Sequence, residues 1–528
     1  MNPILMAAGV VGAAFVAQAE TYSISGGDSV WDTPANWVEG TVPNAVGAAA
    51  IFDSPMATRT VNLDGTDITI GSLTFNNDST FSNTIRSNSG NGGTNTLTFD
   101  AADAGPATIT STGTGTNANT LSQRTIIFAD SVVANITNVA GNAAGALSLT
   151  GNVTGPGGLT KEGLGTMTMG FIVGSNGQVK NYEGPTIVNA GRLRLSQGGA
   201  PGMTSSVTVN SGGQVLLITG VAGSNTGIYT FGASASTVVT LNGTGPTNLT
   251  TASSGPGALR LETANASPTQ VTNLITLASN SSVNVNGAAN VLQLNNTISG
   301  PGGLTMGTLG NAGDTGTLLL NGANSYSGGT TVNLGTLALD GLNATLGGGN
   351  VTVEGLTAGA AGLLEIRGGV ADAIANAATL TLTGGAGGGK INLPDGVTNE
   401  TVGGLVLGGA AQPAGVYTNA THPNFITGSG SITVAAAPIA DADFDNDGDV
   451  DGADFLTWQQ GLGLTGAAAT NAAGNADGDM DVDGDDLAVW RTEFGPAAVA
   501  GVGAVPEPAT ALLFALVVSA LMLSIRKS

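Results

Sequence analysis

A pair of short motifs occurs twice in this chain, and the recurrence restricts the fold more than any other feature. Gly155-Pro156-Gly157-Gly158-Leu159-Thr160 returns as Gly300-Pro301-Gly302-Gly303-Leu304-Thr305. Downstream of each copy comes a second element, Tyr182 to Leu193 and Tyr326 to Leu337, with the shared pattern Y-x-G-x-T-x-V-N-x-G-x-L. Self-similarity of this kind marks an array in which each unit buries its apolar face only against its neighbours. Around the repeats lie many short segments of period two, among them Asp67-Ile68-Thr69-Ile70, Ser206-Val207-Thr208-Val209, Asn350-Val351-Thr352-Val353 and Thr379-Leu380-Thr381-Leu382. Each places apolar residues on one face and Thr, Ser or Asn on the other, as strands do. Gly (85 of 528 residues) and Asn punctuate them, and a hydrophobic content of 41% is too high for simple disorder. Strands this short cannot bury a face singly, so they must stack.

The paired motif resembles the autotransporter-associated β-strand repeat of passenger-type surface proteins, most clearly over 155–196 and 300–340. That resemblance implies a mainly β fold, a right-handed parallel β-helix. Leu337 and Leu339 are then expected inside the coil, with Gly and Asn at the corners where a positive φ is needed. Arg192 and Arg194 alternate with Leu193 and Leu195, which reads as a solvated strand face. Trp31-Asp32-Thr33-Pro34-Ala35-Asn36-Trp37 looks like an opening cap over the first coil, with sugar stacking by the two tryptophans as the alternative. Gly415 to Val434 is expected to form the last coil.

The formal net charge of −23 excludes generic nucleic-acid binding, which needs basic surface. The acid is uneven: fourteen of the 36 acidic residues fall between Asp441 and Glu493. Asp443, Asp445, Asp447, Asp449, Asp451 and Asp454 occupy positions 1, 3, 5, 7, 9 and 12 of a twelve-residue loop, with Gly448 at position 6 and Val450 at position 8. This is the spacing of an EF-hand calcium loop. Shifting by 32 residues places Asn475, Asp477, Asp479, Asp481, Asp483 and Asp486 on the same positions, and the register continues through Trp458 and Trp490 in an amphipathic helix after each loop.

A duplicated calcium loop and helix with Asp at position 12 resembles a type I dockerin, over 441–496. The resemblance implies that Ca2+ is held by Asp443, Asp445, Asp447, the Asp449 carbonyl, Asp451 (directly or through water) and Asp454. The second site would use Asn475, Asp477, Asp479, the Asp481 carbonyl, Asp483 and Asp486. Asn475 lacks a charge and Met480 stands where Gly belongs, so the second site should be the weaker. A dockerin also implies a cohesin-like partner.

The ends address the chain. Ile4 to Val16 followed by Ala17-Gln18-Ala19 reads as a signal peptide. Val505-Pro506-Glu507-Pro508, an apolar run over 509–525 and Arg526-Lys527 resemble a PEP-CTERM sorting signal, which implies an exosortase-type membrane protease. A C-terminal membrane β-barrel is not expected. The organisation is therefore a signal peptide (1–19), a cap and first coils (20–154), the β-helix (155–434), a linker (435–440), the calcium module (441–496), a second linker (497–504) and the sorting signal (505–528). There is no Cys, and one histidine, His422, is too few for a zinc site.

Two functions compete. One is a non-catalytic exported surface or extracellular protein, adhesin-like or a scaffold, attached through its calcium module to a partner or to cell-envelope polysaccharide. The other is a β-helical carbohydrate-active enzyme, a polysaccharide lyase or hydrolase. With ten Lys and Arg in residues 20–434 and no evident catalytic cluster, the first is preferred.

Overall fold

The computed structural model describes residues 19–495, except 88–92, 124, 138–146, 171–179, 197–201, 220–226, 248–254, 265–267, 309–310, 356–360, 368–369, 371, 386, 395–398, 436–440 and 480, together with residue 518. The signal-peptide core, the Pro-Glu-Pro motif and all but one residue of the expected membrane helix lie outside them, as does Met480. No helix among the described residues is long and apolar enough to cross a membrane. The chain divides into two units, 1–435 and 436–528.

The first unit is almost entirely β. Successive strands visit three sheets in rotation: Val132–Ile136 joins an 11-stranded sheet, Leu147–Leu149 a 16-stranded sheet, Asn152–Gly155 a five-stranded sheet, and Leu159–Glu162 returns to the first. An eight-stranded sheet takes over the third position from Ile228–Tyr229 onward. Up to the C-terminal end, strands pair in parallel with their counterparts one turn earlier and later, Thr160 lying between Val133 and Ile187, and Ile187 pairing onward with Thr208. This is the connectivity of a β-solenoid. Alternate residues point inward, so leucines stack in ladders: Leu292, Leu318, Leu337, Leu364 and Ile391 are in register and fully buried. Leu337 and Leu339 face inward as expected, and Ala338 is buried too.

The repeated motifs have a structural reason. Gly184 lies directly against the backbone of Gly158, and Gly328 against Gly303, so the two elements of each repeat are glycine surfaces of adjacent coils where a Cβ on either would clash. The Tyr and Thr of Y-x-G-x-T hydrogen-bond inside the core, Tyr182 Oη to Thr186 Oγ1 at 2.7 Å and Tyr326 Oη to Thr330 Oγ1 at 2.6 Å. A buried phenol needs such a partner, and a threonine one turn of backbone away supplies it. Gly155 pairs with Tyr182 at a φ of 112°, where a Cβ would strike the Phe128 backbone, and the Phe128 and Tyr182 rings lie 5.4 Å apart.

At the N-terminal end Trp31 and Trp37 are buried, their rings 5.0 Å apart and packed on Tyr22 and Phe52. Trp31 Nε1 donates to Pro43 O and Trp37 Nε1 to Trp31 O, so neither indole presents a face for sugar stacking. At the C-terminal end Ile426–Gly428 pairs in parallel with Lys390–Leu393, as the expected last coil requires, but the segment opens with a strand of opposite sense. Gly415–Thr418 runs antiparallel to Ser431–Val434, which itself pairs in parallel with Glu400–Val402. The antiparallel strand pairs along Ser431–Val434 and ends that three-stranded sheet. His422 stands beside the Tyr417 ring, 5.1 Å away.

Arg192 also departs from expectation. It is 6% exposed rather than solvated, because the outer face of the 16-stranded sheet is covered at this point.

Candidate metal centre

In the second unit each acidic loop runs into a ten-residue helix, α1 (Gly452–Gly461) and α2 (Gly484–Glu493). Position 9 starts the helix. Asp451 and Asp483 are the N-caps, accepting from Ala453 N and Asp485 N, and position 12 completes a capping box in both copies. The position-12 carboxylates are buried and fold each loop back onto its helix. Asp454 Oδ1 accepts from Phe444 N and Asp445 N and its Oδ2 from Asp451 N; Asp486 makes the same three bonds to Ala476 N, Asp477 N and Asp483 N. Two sequences 32 residues apart thus build one hydrogen-bond pattern twice.

The copies lock together reciprocally. Trp458 Nε1 of α1 donates to Asp483 O at the start of α2, and Trp490 Nε1 of α2 donates to Asp451 O at the start of α1. The position-8 valines pair with the segment after the opposite helix, Val450 O accepting from Gly495 N and Val482 bonding Gly463 and Leu464. Phe455 lies between the two indoles, 5.6 Å from Trp458 and 5.1 Å from Trp490.

The structure gathers part of each expected ligand set. Asp443, Asp445 and Asp447 have side-chain oxygens within 4.8 Å of one another, and so do Asp481, Asp483 and Asp486. Asp443 Oδ1 and Oδ2 accept from Asp447 N and Gly448 N, which curls the loop around the cluster. Asn446 and Gly448 take positive φ in the first loop and Gly478 does so in the second. At position 1 of the second loop Asn475 Oδ1 accepts from Gly478 N, as the Asp443 oxygens accept from the first loop, and its Nδ2 donates to Ala469 O. Desolvation, then the neighbouring Asp447 and Asp454 charges, raise the Asp445 carboxyl above the usual range, and Asp447 does the same to Asp449. Asp477 and Asp481 are raised in the second copy, by desolvation first.

Position 7 carries a feature that spacing did not reveal. Asp449 Oδ1 and Asp481 Oδ1 are buried atoms with no hydrogen-bond partner among the described residues. The EF-hand pattern assigns that position a backbone carbonyl only. An all-oxygen donor set with mutually repelling carboxylates and an orphaned oxygen fits a hard divalent cation.

Comparison with known proteins concerns the first unit. The passenger-associated-transport-repeat model matches residues 159–195 and 313–339. An autotransporter adhesin, BmaC of Brucella suis biovar 1 (strain 1330), is 35% identical over 190 residues, 35% of this chain and 4% of the adhesin. The chain therefore spans a small fraction of that relative's length. No solved structure matches.

Proposed function

We propose that the chain is an exported, non-catalytic surface protein, adhesin-like, whose right-handed β-solenoid is displayed outside the cell and whose second unit binds Ca2+ to attach it. The observation that carries the display reading is the pair of transport repeats set in a continuous parallel β-solenoid, together with the similarity to an autotransporter adhesin. Continuous parallel hydrogen-bond ladders from coil to coil would give a stiff body, with Thr, Asn and Ser recurring on its outer face. The adhesin similarity favours this over the lyase or hydrolase reading.

The attachment reading rests on the doubled acidic loop. With Ca2+ bound, Asp443, Asp445, Asp447 and Asp449 would lose their mutual repulsion and α1 and α2 would be fixed as a docking surface of dockerin type. A cohesin-like protein or a cell-envelope polysaccharide is the proposed partner. The tail at 505–528 would hold the chain in the membrane until an exosortase-type protease acts. Two measurements test this. Intact cells should bind an antibody raised to the solenoid. The purified full chain should retain an envelope component in calcium and release it in a chelator. No surface labelling defeats display, and retention indifferent to calcium defeats the attachment mechanism.

A further inference from the structure

In the second unit the later half of each acidic loop is fastened to the other copy as well as to its own helix. In the second loop Val482 N donates to Leu464 O and Val482 O accepts from Gly463 N, just past the end of α1. Asp483 O accepts from Trp458 Nε1 of α1 at 2.6 Å. An antiparallel pairing of Thr465 with Asp481 extends the same seam. In the first loop Val450 O accepts from Gly495 N, just past the end of α2, and Asp451 O accepts from Trp490 Nε1 of α2 at 2.9 Å.

These are segments on which a bound ion would pull. Position 7 offers its carbonyl and position 9 its carboxylate, and position 8 between them carries bonds to the other copy. The carbonyl that each tryptophan holds is that of position 9, which is also the helix N-cap. The joint has little slack. Gly474, just before the second loop, takes a φ of +107° with the Trp458 backbone against it, and a Cβ at Gly461 would strike Ala473 O. Trp458 and Val482 share one buried core with Phe444 and Ala476, which are position 2 of the two loops. A close-packed joint passes a shift of one loop to the opposite helix instead of absorbing it.

The loops are unequal in what they bring. The oxygens gathered in the first belong to positions 1, 3 and 5, Asp443, Asp445 and Asp447; those gathered in the second belong to positions 7, 9 and 12, Asp481, Asp483 and Asp486. Asn475 brings no charge to position 1 of the second loop. Two of the three ligands gathered there thus lie in the segment that the first copy holds.

We propose that the two calcium loops form one coupled unit, in which filling the first raises the affinity of the second through the crossed tryptophan and valine bonds. This rests on the calcium reading above and adds how a loop short of one charge comes to be filled. Trp458 and Trp490 are positioning residues, each for the loop of the opposite copy. Linkage makes the coupling reciprocal.

Amide exchange on the full chain, resolved to 443–454 and 475–486 and followed across a calcium titration, tests it. Asp447→Ala removes an exposed ligand of the first loop and should raise the calcium needed to protect 475–486 roughly tenfold, within the usual range for coupled sites. Trp458→Phe with Trp490→Phe keeps the aromatic packing and loses both crossed indole donors. In that background Asp447→Ala should raise the requirement less than about threefold. A requirement for 475–486 unmoved by Asp447→Ala in the otherwise wild-type chain overturns the coupling and leaves two independent calcium sites; this comparison needs no tryptophan variant. A tenfold effect that persists in the tryptophan pair overturns the route through the crossed bonds. Protection of neither loop at millimolar calcium removes the calcium reading itself, and the coupling with it.

Discussion

Lys161→Met is the most informative substitution in the solenoid, because the protein already contains its comparison. Lys161 of the first repeat corresponds to Met306 of the second, and both are buried, inward-facing positions. The Lys161 ammonium donates to three main-chain carbonyls, Glu162 O and Gly163 O at 2.7 Å and Ala190 O at 3.1 Å. The second repeat satisfies the equivalent region differently: Gly307 O accepts from Asn333 Nδ2, whereas Asn189 Nδ2 is turned to the Glu162 side chain. Methionine at 161 therefore strips three carbonyls of their donor with no substitute in place. The neutral amine present above pH 7 can keep two of these bonds, so at about 1 kcal/mol each the loss there is about 2 kcal/mol.

Desolvation opposes this. Burial lowers the Lys161 pKa from 10.5 to about 7. The unfolded chain binds the proton up to the higher value and the folded chain only below the lower one, so wild-type stability rises with pH through this window. From about pH 7 to about pH 9.5 the rise is about 3 kcal/mol, at 1.36 kcal/mol per unit. The variant lacks it. Lys161→Met should thus be less stable than wild type by about 2 kcal/mol near pH 9.5, where the folded amine is neutral, and no less stable near pH 7. Urea unfolding followed by far-ultraviolet circular dichroism at the two pH values reads the difference directly. Lys180, lowered to about 7 by burial as well, is present in both proteins and cancels. A gap that stays constant with pH would refute the reasoning, since it would mean that Lys161 keeps its proton throughout.

Other predictions follow from the same packing and charge. Glu400 accepts from Ile374 N and Ala373 N, and burial raises its pKa to about 7, so stability should fall as pH rises from the ordinary carboxylate range through 7; Glu400→Gln should flatten that slope in thermal melts. Trp31→Ala opens the aromatic cap and should cost about 3–5 kcal/mol, with hydrogen exchange rising first in the N-terminal coils. Adding calcium to the full chain should slow amide exchange in 441–495 and leave the solenoid unchanged; equal protection with and without calcium would remove the metal assignment. Asn475→Asp removes the donor to Ala469 O and adds a charge, so it should weaken the calcium-free module while tightening its calcium binding in a competition titration.

Much of the fold was legible because its causes are local. Period-two alternation fixes which side chains face the core, and the twice-repeated motif fixes how coils follow one another. The acidic spacing likewise marked Asp443, Asp445 and Asp447 as one cluster. Arg192 was misread because alternation identifies the outward face but not whether another segment lies on it. The antiparallel closure at Gly415–Thr418 was invisible for a similar reason: a strand's sequence sets its faces, not the direction of its neighbour.

The acidic loops show the same division. The sequence alone determined that two twelve-residue carboxylate loops exist, in register, each leading into a helix with one tryptophan. Only the tertiary structure decided that each Trp anchors the start of the other helix, that Asp454 and Asp486 tie the loops back, and that Asp449 Oδ1 and Asp481 Oδ1 have no hydrogen-bond partner among the described residues. It also decided that Gly158 and Gly184 meet, 26 residues apart, across adjacent coils. Periodicity records what a residue does to its immediate backbone. Burial, hydrogen-bond satisfaction and charge balance depend on what the fold places opposite it, and that is fixed by the stacking of distant coils and loops.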